Sequence, residues 1–529
     1  MEKNDNGNLP YSSPYPFWGS PTSIKGGRDP LAVQNSSVVI YTEMVQGITN
    51  VTTRVRYNGF YCWLLNFISK RLFNLDKKKA NSKEYQIRYL RRAELLLADA
   101  MVFNFADVTG VNGSLFAKHH IESEVLDLKN GAEGKNTYWR NSMGIFGQYY
   151  VGVLLHLGLI CSPDENHQTY RTAAGFGEKL ADAYGKAFSK EAEEIFWNGI
   201  YNGKLRSDDL AQLKCMALHI LPDGQEKELY REIFSAKDSI NIISGETFYR
   251  RESICRMMDY ISEHPDKLTN KNIVSGFLED NFLFGLEKNP EVSNVPLSWF
   301  LYELDELAHT AYESFHYGIL WLLTKDPQPL NRILSEIREG IEELAQKNDV
   351  TKLSDLNVGK NNIYNIYHRM FARKKRKSIE RIYDAAILLM TLYGCLNPFF
   401  VLLDDFSCSG DFNYRRPGYA PDLLRRLVDG HSNDSIWKFV EFVLYQAIND
   451  HTQSSYSKSV IGQGLVNNYL IEDDMIWLER ETTPIRTSPR LGNVVSYIED
   501  MGWIARNQSG YYFITQEGRK LLEKYDELS

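Results

Sequence analysis

The sequence predicts a mainly α, multidomain helical protein with two small α+β modules. Apolar residues recur at helical spacing through most of the 529 residues. Strand signals are nearly absent between residues 191 and 400. Two stretches, one near residue 150 and one in the last forty residues, instead combine a helix, a glycine, a short strand pair and a closing helix. At this length the usual domain size gives three or four domains.

The C-terminal module begins with Leu491–Asp500, which has the pattern of a short amphipathic helix. Gly502 stands where the helix must stop and the chain reverse, which glycine allows because it adopts positive φ without steric cost. Gly510 marks a tight turn before the strand Tyr511–Ile514. If that strand alternates, Phe513 packs inward against the helix.

The module near residue 150 has the helix Tyr149–His156 and Gly158 at the same corner. Thr172 is predicted to cap the closing helix there, as Thr515 is in the C-terminal module. Both stretches resemble winged-helix domains at these residues. The resemblance implies binding of duplex DNA, with one helix in the major groove and the strand pair on the backbone. Many winged helices contact only proteins, so that alternative stays open.

The rest of the chain is predicted to form consecutive segments around these modules. The long pattern Ile366–Leu396 is predicted as one helix. The predicted segments are an irregular N-terminal arm (1–30), a helical domain ending in the first module (31–190), a helical array (191–403), a loop followed by helices (404–456) and the C-terminal module (457–529).

Charge, cysteine usage and hydropathy exclude several protein classes. The formal charge of −8 argues against general binding of polyanions, so any nucleic-acid contact must come from local patches. The six cysteines are scattered singly, which indicates reduced thiols in a cytoplasmic protein and argues against a structural zinc. The most apolar run, Ala385–Leu403, contains Pro398 and is predicted as a buried helix rather than a membrane span.

The clearest basic patch carries six positive charges within nine residues. Such a helix would present charge around most of its circumference, which burial does not tolerate. Phosphate contact is the functional interpretation, and a solvated helix end is the alternative. Arg486 and Arg490, near the start of the C-terminal helix, and Arg506 in its strand pair are further DNA-binding candidates. The patch consists of Arg369, Arg373, Lys374, Lys375, Arg376 and Lys377.

Two Glu-x-x-His units, Glu306 with His309 and Glu313 with His316, share one face of a predicted helix. Di-iron carboxylate proteins take such units from two different helices and add further glutamates. The sequence has no other Glu-x-x-His. We therefore predict a polar stripe that is paired with neighbouring helices and holds no metal.

Other candidates for catalysis are weaker. Asp127 and Lys129, with the nearby Glu122 and Glu124, supply the acid-x-Lys element of a metal-dependent nuclease, but no Pro-Asp partner precedes them. A cation site at Asp404, Asp405 and Asp411 has a solvated acidic loop as its alternative. No phosphate-binding glycine motif and no serine-nucleophile motif occurs, so no cofactor is expected.

Two motifs in the first third of the chain carry a further resemblance. The run Gly47–Leu65, with Thr49-Asn50-Val51-Thr52-Thr53-Arg54-Val55-Arg56-Tyr57, and the run Tyr89–Glu94 are similar to the opening of a group of large uncharacterised bacterial proteins. That group tends to be encoded in mobile-element and phage-defence neighbourhoods. The resemblance covers residues 30–190 and implies a context of antiviral defence, with no catalytic residues to transfer.

The sequence thus predicts a non-catalytic DNA-binding or scaffolding component of a bacterial defence or mobile-element complex. Its expected partners are duplex DNA and other protein subunits, with no membrane. The alternatives are a metal-dependent nuclease and a protein-interaction module whose winged helices do not bind DNA.

Overall fold

A computed structural model shows a mainly helical chain, with 66% helix and 6% strand. The predicted fold class is therefore confirmed at the level of a helical protein with small sheets. The structure describes residues 29–106, 108–235, 248–265, 267–286, 294–350, 352, 359–371, 378–408, 413–460 and 467–526. Nearly all of the predicted N-terminal arm, residues 1–28, lies outside these ranges.

The chain forms two compact units, and each is built from two separate stretches of sequence. Unit 1 comprises Met1–Val39 and Leu301–Thr487, and unit 2 comprises Ile40–Phe300 and Ser488–Ser529.

The helices have the following bounds. In the first part of the chain the α-helices are Asn35–Met44, Arg56–Leu75, Lys77–Ala80, Lys83–Asn104, Ser114–His120, Leu128–Glu133, Val151–His156, Phe176–Gly185, Lys190–Asn202, Gln225–Ser235, Phe248–Glu263 and Asn270–Phe284. The remaining α-helices are Val295–Leu322, Leu330–Lys347, Ile363–Phe371, Ser378–Leu396, Phe400–Cys408, Ala420–Val428, Ile436–Val460, Leu491–Asp500 and Gln516–Asp526. The described residues also include a π-helical turn, Phe146–Tyr150, and 3-10 segments at Ser207–Met216, Lys360–Asn362 and Asn397–Phe399.

All strand pairs are short and antiparallel among the described residues. The pairs are Val125–Leu126 with Leu205–Arg206, Ile160–Cys161 with Arg171–Thr172, and Ile504–Arg506 with Tyr512–Ile514; the one three-stranded sheet has the order Gln328–Pro329, Met475–Leu478, Tyr469–Glu472.

The long helix predicted over Ile366–Leu396 is described as two helices, Ile363–Phe371 and Ser378–Leu396. The residues between them, 372–377, lie outside the described ranges. Ile379–Cys408 is the one helical stretch of the described chain that is long and apolar enough to cross a membrane, and half of its most apolar window is buried. A 3-10 turn with Pro398 interrupts this stretch, as the sequence predicted.

The C-terminal module of unit 2 is assembled from distant parts of the chain. The backbone amide of Tyr512 donates to the carbonyl oxygen of Leu268 at 2.9 Å, which extends the strand pair by a third chain segment. The side-chain amide of Asn270 donates to the carbonyl oxygen of Gly492 at 3.0 Å. The helices Phe248–Glu263 and Asn270–Phe284 therefore complete a module whose remaining elements lie after residue 490.

Each of the two modules has a hydrogen-bonded corner at the glycine that follows its helix, and the two corners have the same geometry. Gly158 and Gly502 both have positive φ, 65° and 73° respectively. In each case the amide of the next residue donates to a carbonyl oxygen of the preceding helix. Leu159 donates to Leu154 at 2.8 Å, and Trp503 donates to Ile498 at 3.0 Å. The predicted glycine corner is confirmed in both modules, because this reversal needs a left-handed residue.

The closing helices pack on these corners through glycine. A Cβ added to Gly177 would lie 2.3 Å from the carbonyl oxygen of Leu159, and one added to Gly518 would lie 2.2 Å from that of Trp503. Ala173 and Thr515 donate their amides to the same two carbonyl oxygens, at 2.9 and 3.0 Å. Each closing helix thus approaches its corner more closely than any side chain permits.

One capping prediction holds and one is wrong. The hydroxyl of Thr515 accepts from the amide of Gly518 at 3.1 Å and so caps the last helix. The hydroxyl of Thr172 instead donates to the carbonyl oxygen of Cys62 at 2.7 Å. The residue equivalent to Thr515 is therefore Ala173, one position further along.

The predicted inward orientation of Phe513 is also wrong. Gly510 does occupy a tight turn, with φ 81° and its amide bonded to the carbonyl oxygen of Asn507. Phe513 is 43% exposed, whereas Tyr512 and Ile514 are 3% and 7% exposed. Neighbouring residues of a strand point to opposite faces, so an error of one residue exchanges the buried and exposed faces. Every residue of this strand is apolar, so the sequence does not show which face is buried.

We expect Ile514→Ala to destabilise unit 2 by about 2–5 kcal/mol, because a buried aliphatic side chain is removed. Phe513→Ala should cost less than about 1 kcal/mol, since much of this side chain already contacts water. Urea unfolding of the two full-length variants beside the unmodified protein measures both effects. Equal losses would show that the strand faces are assigned wrongly.

Candidate functional site

The helix Val295–Leu322 is deeply buried and carries the two Glu-x-x-His units. Its apolar residues fill the interior, among them Leu304, Leu307 and Phe315, each 0% exposed. The predicted polar stripe lies along the same helix and is equally buried, with Glu306, His309, Glu313 and His316 all between 0% and 2% exposed. Burial without partners would destabilise these groups by several kcal/mol, so their hydrogen bonds decide what the stripe is.

The first end of the stripe is an ion-pair cluster within unit 1. The guanidinium of Arg486 contacts the carboxylate of Glu303, and its Nε lies 3.5 Å from Oε2 of Glu306. Thr487 donates its amide to Oε2 of Glu306 at 2.8 Å and its hydroxyl to Oε1 at 2.5 Å. The hydroxyl of Tyr364 donates to Glu303 at 3.1 Å. Although burial opposes it, the charges of Glu303 and Glu306 raise the pKa of Arg486.

The middle of the stripe meets two loop segments. Nε2 of His309 lies 3.5 Å from the carbonyl oxygen of Ile485, and its Nδ1 lies 3.7 Å from Glu306. Burial alone would lower the pKa of His309, but the negative charges of Glu306 and Glu313 raise it. The side-chain amide of Gln34 donates to Glu313 at 2.8 Å, and burial raises the pKa of Glu313 to about 7.

The far end of the stripe is a neutral histidine pair. His316 and His451 have ring centroids 4.5 Å apart. Nε2 of His316 donates to the side-chain oxygen of Asn468 at 3.2 Å, while Nε2 of His451 accepts the amide of Asn468 at 3.0 Å. Burial lowers the pKa of both rings, that of His451 to about 4. Both imidazoles therefore stay uncharged near neutral pH.

The stripe was predicted to be partly buried and paired with neighbouring helices. It is fully buried and paired, but most of its partners belong to loops. Arg486, Thr487 and Ile485 come from one connecting segment, and Gln34 precedes the helix Asn35–Met44. In the described part of the chain no group of three or more His, Cys, Asp or Glu side chains is arranged to hold a metal ion. The arrangement fixes loops onto a helix.

Of the described DNA-binding candidates, Arg369 and Arg486 belong to unit 1, and Arg490 and Arg506 belong to unit 2. Arg373, Lys374, Lys375, Arg376 and Lys377 lie outside the described ranges. Arg369 is 52% exposed and contacts Asp384 at 2.8 Å. Arg486 lies between the buried carboxylates of Glu303 and Glu306.

Arg490 and Arg506 belong to unit 2 and are also engaged within the protein. Arg490, with φ 63°, donates to the carbonyl oxygen of Ile48 at 3.0 Å and lies 5.0 Å from the ring of Tyr41. Arg506 contacts Glu499 at 2.7 Å but is 53% exposed. Of these two arginines, only Arg506 presents much of its side chain to solvent.

The helix Leu491–Asp500, which the winged-helix resemblance would place in a DNA groove, is enclosed by unit 2. All ten of its residues are described, and each is buried or half-buried. Asn493 donates to the carbonyl oxygen of Thr49 at 2.6 Å. Asp500 accepts from the guanidinium of Arg54 at 2.9 Å and from the amide of Val55 at 3.2 Å. Its polar residues are thus engaged with the protein itself.

The acidic residues considered for a nuclease or cation site either stabilise the fold or are exposed to solvent, where the structure describes them. Asp127 caps the helix Leu128–Glu133 by accepting the amide of Asn130 at 3.0 Å, which lowers the pKa of Asp127. Glu122 and Glu124 are exposed. Asp404 is paired with Arg425 at 2.8 Å, Asp405 is exposed, and Asp411 lies outside the described residues.

The sequence analysis missed a buried carboxylate in unit 2. Glu94, 2% exposed, accepts from four donors: the hydroxyls of Tyr61 (3.0 Å) and Tyr138 and the amides of Ile145 (2.9 Å) and Phe146 (2.6 Å). Burial raises its pKa to about 7, although the four hydrogen bonds act in the opposite direction. An acid directly before the apolar run Leu95–Leu97 of a predicted helix was the available signal.

Arginines of the motifs Gly47–Leu65 and Tyr89–Glu94 are also buried. Arg56 forms an ion pair with Glu226 at 2.9 Å, and Arg91 donates to the carbonyl oxygen of Ala132 at 2.8 Å. Residues of both motifs therefore form polar contacts in the interior of unit 2.

Comparison of the chain with protein-family models, with curated proteins and with solved structures found no match.

Proposed function

We propose that the protein is a non-catalytic scaffolding component of a bacterial defence or mobile-element complex, and that its two modules are winged helices that do not read DNA. The context rests on the resemblance of residues 30–190. The form of the modules is supported by their shared corners at Gly158 and Gly502 and by the glycine contacts of their closing helices.

The observation that carries the proposal is the enclosure of the helix Leu491–Asp500. A helix that reads a major groove must offer polar side chains to base edges and phosphates. Here Asn493 and Asp500 are bonded to Thr49, Arg54 and Val55 of the same unit. The helix contains no lysine or arginine and ends in two acids, which repel phosphate.

The first module gives the same indication. Its helical stretch from Phe146 to His156 contains no lysine or arginine, and of its residues only Gln148 and Gly152 are exposed. Its strand pair is joined by a turn with Asp164 and Glu165, so the part that would lie on a DNA backbone is acidic.

Duplex DNA binding remains a second candidate function because of the basic patch 369–377. Six positive charges within nine residues stand out in a chain of net charge −8. Contact through this patch would be electrostatic, salt-sensitive and indifferent to base sequence.

The test measures binding of a labelled duplex by the full-length protein over a range of salt. We expect no saturable binding at physiological salt. Any binding at low salt should disappear when Arg373, Lys374, Arg376 and Lys377 are all changed to Glu, and should persist in Arg506→Glu. Removal of each cation that touches a phosphate should reduce the slope of log K against log salt by about 0.9.

Two outcomes would change the proposal. Saturable binding that Arg506→Glu abolishes would show that the C-terminal module reads DNA after all. Saturable binding at physiological salt that only the fourfold variant abolishes would make DNA binding the leading function. For the scaffolding role itself, co-expression with the products of adjacent genes should yield a stoichiometric complex, and failure of every neighbour to co-purify would contradict it.

A further inference from the structure

A cavity of about 440 Å³ lies in unit 1 at the end of the helix Val295–Leu322. This volume is within the range of small-molecule sites. The last turns of the helix, together with Leu323, form one side of the cavity, and the segment 481–483 forms the other. No sequence motif singled out this cavity, and the proposed scaffolding role makes no use of it.

Two aromatic rings line the cavity. Trp321 is 54% exposed, although tryptophan side chains are usually buried for the most part. Its ring centroid lies 6.1 Å from that of Tyr317, one helical turn earlier, and the two ring planes are inclined by 50°. Leu320 and Leu323, which are 3% and 6% exposed, add apolar surface to the lining. Inclined aromatic rings around one space suit an organic cation, because the negative face of a ring attracts positive charge.

The charges around the cavity also favour a positive ligand. Among the described residues that line it, Glu481 is the only charged one. Glu481 is exposed, and no hydrogen bond or ion pair of its carboxylate is found in the described part of the chain. The last turn of the helix Val295–Leu322 contains no basic residue, so the partial negative charge of its terminal carbonyl groups is not offset by that turn.

The segment that carries Glu481 is fixed on both sides. Before it, the amide of Arg480 donates to the carbonyl oxygen of Asn468 at 2.9 Å. After it, the amide of Thr487 donates to the buried carboxylate of Glu306 at 2.8 Å. A ligand therefore meets a wall whose ends are already in place, which favours binding because less of the chain remains to be ordered.

A cation of the protein already contacts one of the two rings. The guanidinium of Arg381 lies 4.8 Å from the ring centroid of Tyr317 and 4.4 Å from that of Phe371. Arg381 does not line the cavity, so the part of Tyr317 that does is not the part that Arg381 covers. The charge of Arg381 nevertheless weakens the attraction of a second cation to Tyr317, which makes Trp321 the principal ring of the cavity.

We propose that this cavity binds a small quaternary ammonium compound, with the trimethylammonium group against Trp321 and Tyr317 and beside Glu481. The methyl groups of such a cation contact the rings and the leucines while its charge is attracted by the ring faces and the carboxylate. A primary ammonium is strongly hydrated and loses more on leaving water. Thr482 and Thr483 supply hydroxyl groups for a polar end of the ligand.

The experiment is calorimetric titration of the full-length protein with choline, with its neutral tert-butyl analogue and with ethanolamine. The tert-butyl analogue keeps the shape of choline without the charge, and ethanolamine keeps the charge without the methyl groups. We expect saturable binding of choline and at least tenfold weaker binding of the other two compounds.

Substitutions assign the binding to the cavity. Trp321→Ala should weaken the affinity for choline about tenfold, and Trp321→Phe should weaken it less, because tryptophan attracts a cation best but phenylalanine still attracts one. Glu481→Gln should also weaken it. Tyr445→Ala and Glu472→Gln are the matched controls, since both residues are exposed in the same unit and do not line the cavity. In both controls the affinity should stay within twofold.

Thermal melting of each variant without ligand shows whether it folds. Equal binding of choline and the tert-butyl analogue would overturn the assignment of a cation. Absence of choline binding, or equal weakening by Trp321→Ala and Tyr445→Ala, would overturn the site. A peptide with a trimethylated lysine that binds at least tenfold more tightly than choline would overturn the assignment to a small molecule. None of these outcomes depends on whether the protein binds DNA or other subunits.

Discussion

Replacing Glu94 with alanine should lower the free energy of unfolding of unit 2 by about 3–5 kcal/mol. The substitution leaves two tyrosine hydroxyls and two backbone amides without their acceptor in the interior, and each unpaired donor is costly. Urea unfolding of the full-length variant measures the loss. Glu84→Ala is the control on the same helix, because Glu84 is 75% exposed and its removal should cost less than about 0.5 kcal/mol.

The same carboxyl group predicts a dependence of stability on pH. Its pKa is about 7 in the folded state, above the ordinary value of 4.5, so the folded protein holds this proton more tightly than the unfolded chain does. Protonated Glu94 therefore stabilises the folded state fully below pH 4.5. This stabilisation, about 3 kcal/mol, is lost as the pH rises to about 7. Glu94→Gln should remove this slope. A variant with the slope of the unmodified protein would assign the titration to another group.

Replacing Arg486 with methionine should destabilise unit 1 by about 3–5 kcal/mol. Glu303 and Glu306 are 0% exposed, and the substitution leaves both without their cation. Since the cost comes from the unpaired carboxylates, adding Glu303→Gln to the variant should restore part of the loss. A double variant no more stable than Arg486→Met alone would contradict this origin.

A control separates this loss from the loss of any arginine. Arg338 is 58% exposed and contacts Glu342 at 2.8 Å on the surface of a helix in unit 1. Arg338→Met should cost less than about 1 kcal/mol, because exposed ion pairs contribute little. Unfolding midpoints of the two full-length variants in urea give the comparison directly.

Helical periodicity and the glycine corners were predictable because they depend on neighbouring residues. Gly158 and Gly502 each fall just after an apolar helix, where only a left-handed residue lets the chain reverse. Whether the side chain of Phe513 is buried or exposed was not predictable in the same way. Tyr511–Ile514 is apolar throughout, so the alternation that normally reveals the buried face is missing from the sequence.

The candidate sites show the same limit. The burial of the Glu306–His316 stripe follows from its place in an apolar helix, but its partners Gln34, Arg486 and Asn468 are distant in sequence. A basic residue beside a predicted recognition helix is equally compatible with a phosphate contact and with a buried ion pair. Only the fold distinguishes these cases, because the charge of Arg486 is the same in both.

The divided C-terminal module has a consequence for how the protein is made. Leu268 leaves the ribosome long before Tyr512, whose amide it binds, and chain growth at roughly 5–20 residues per second separates the two by tens of seconds. The helices Phe248–Glu263 and Asn270–Phe284 spend that interval without the strand pair and closing helix that cover them. The module near residue 150 packs on the helix Arg56–Leu75, which leaves the ribosome earlier, so this module can close during synthesis. Translation therefore sets the order in which the two modules mature, and the nascent chain carries an uncovered apolar surface until the helix Gln516–Asp526 has emerged.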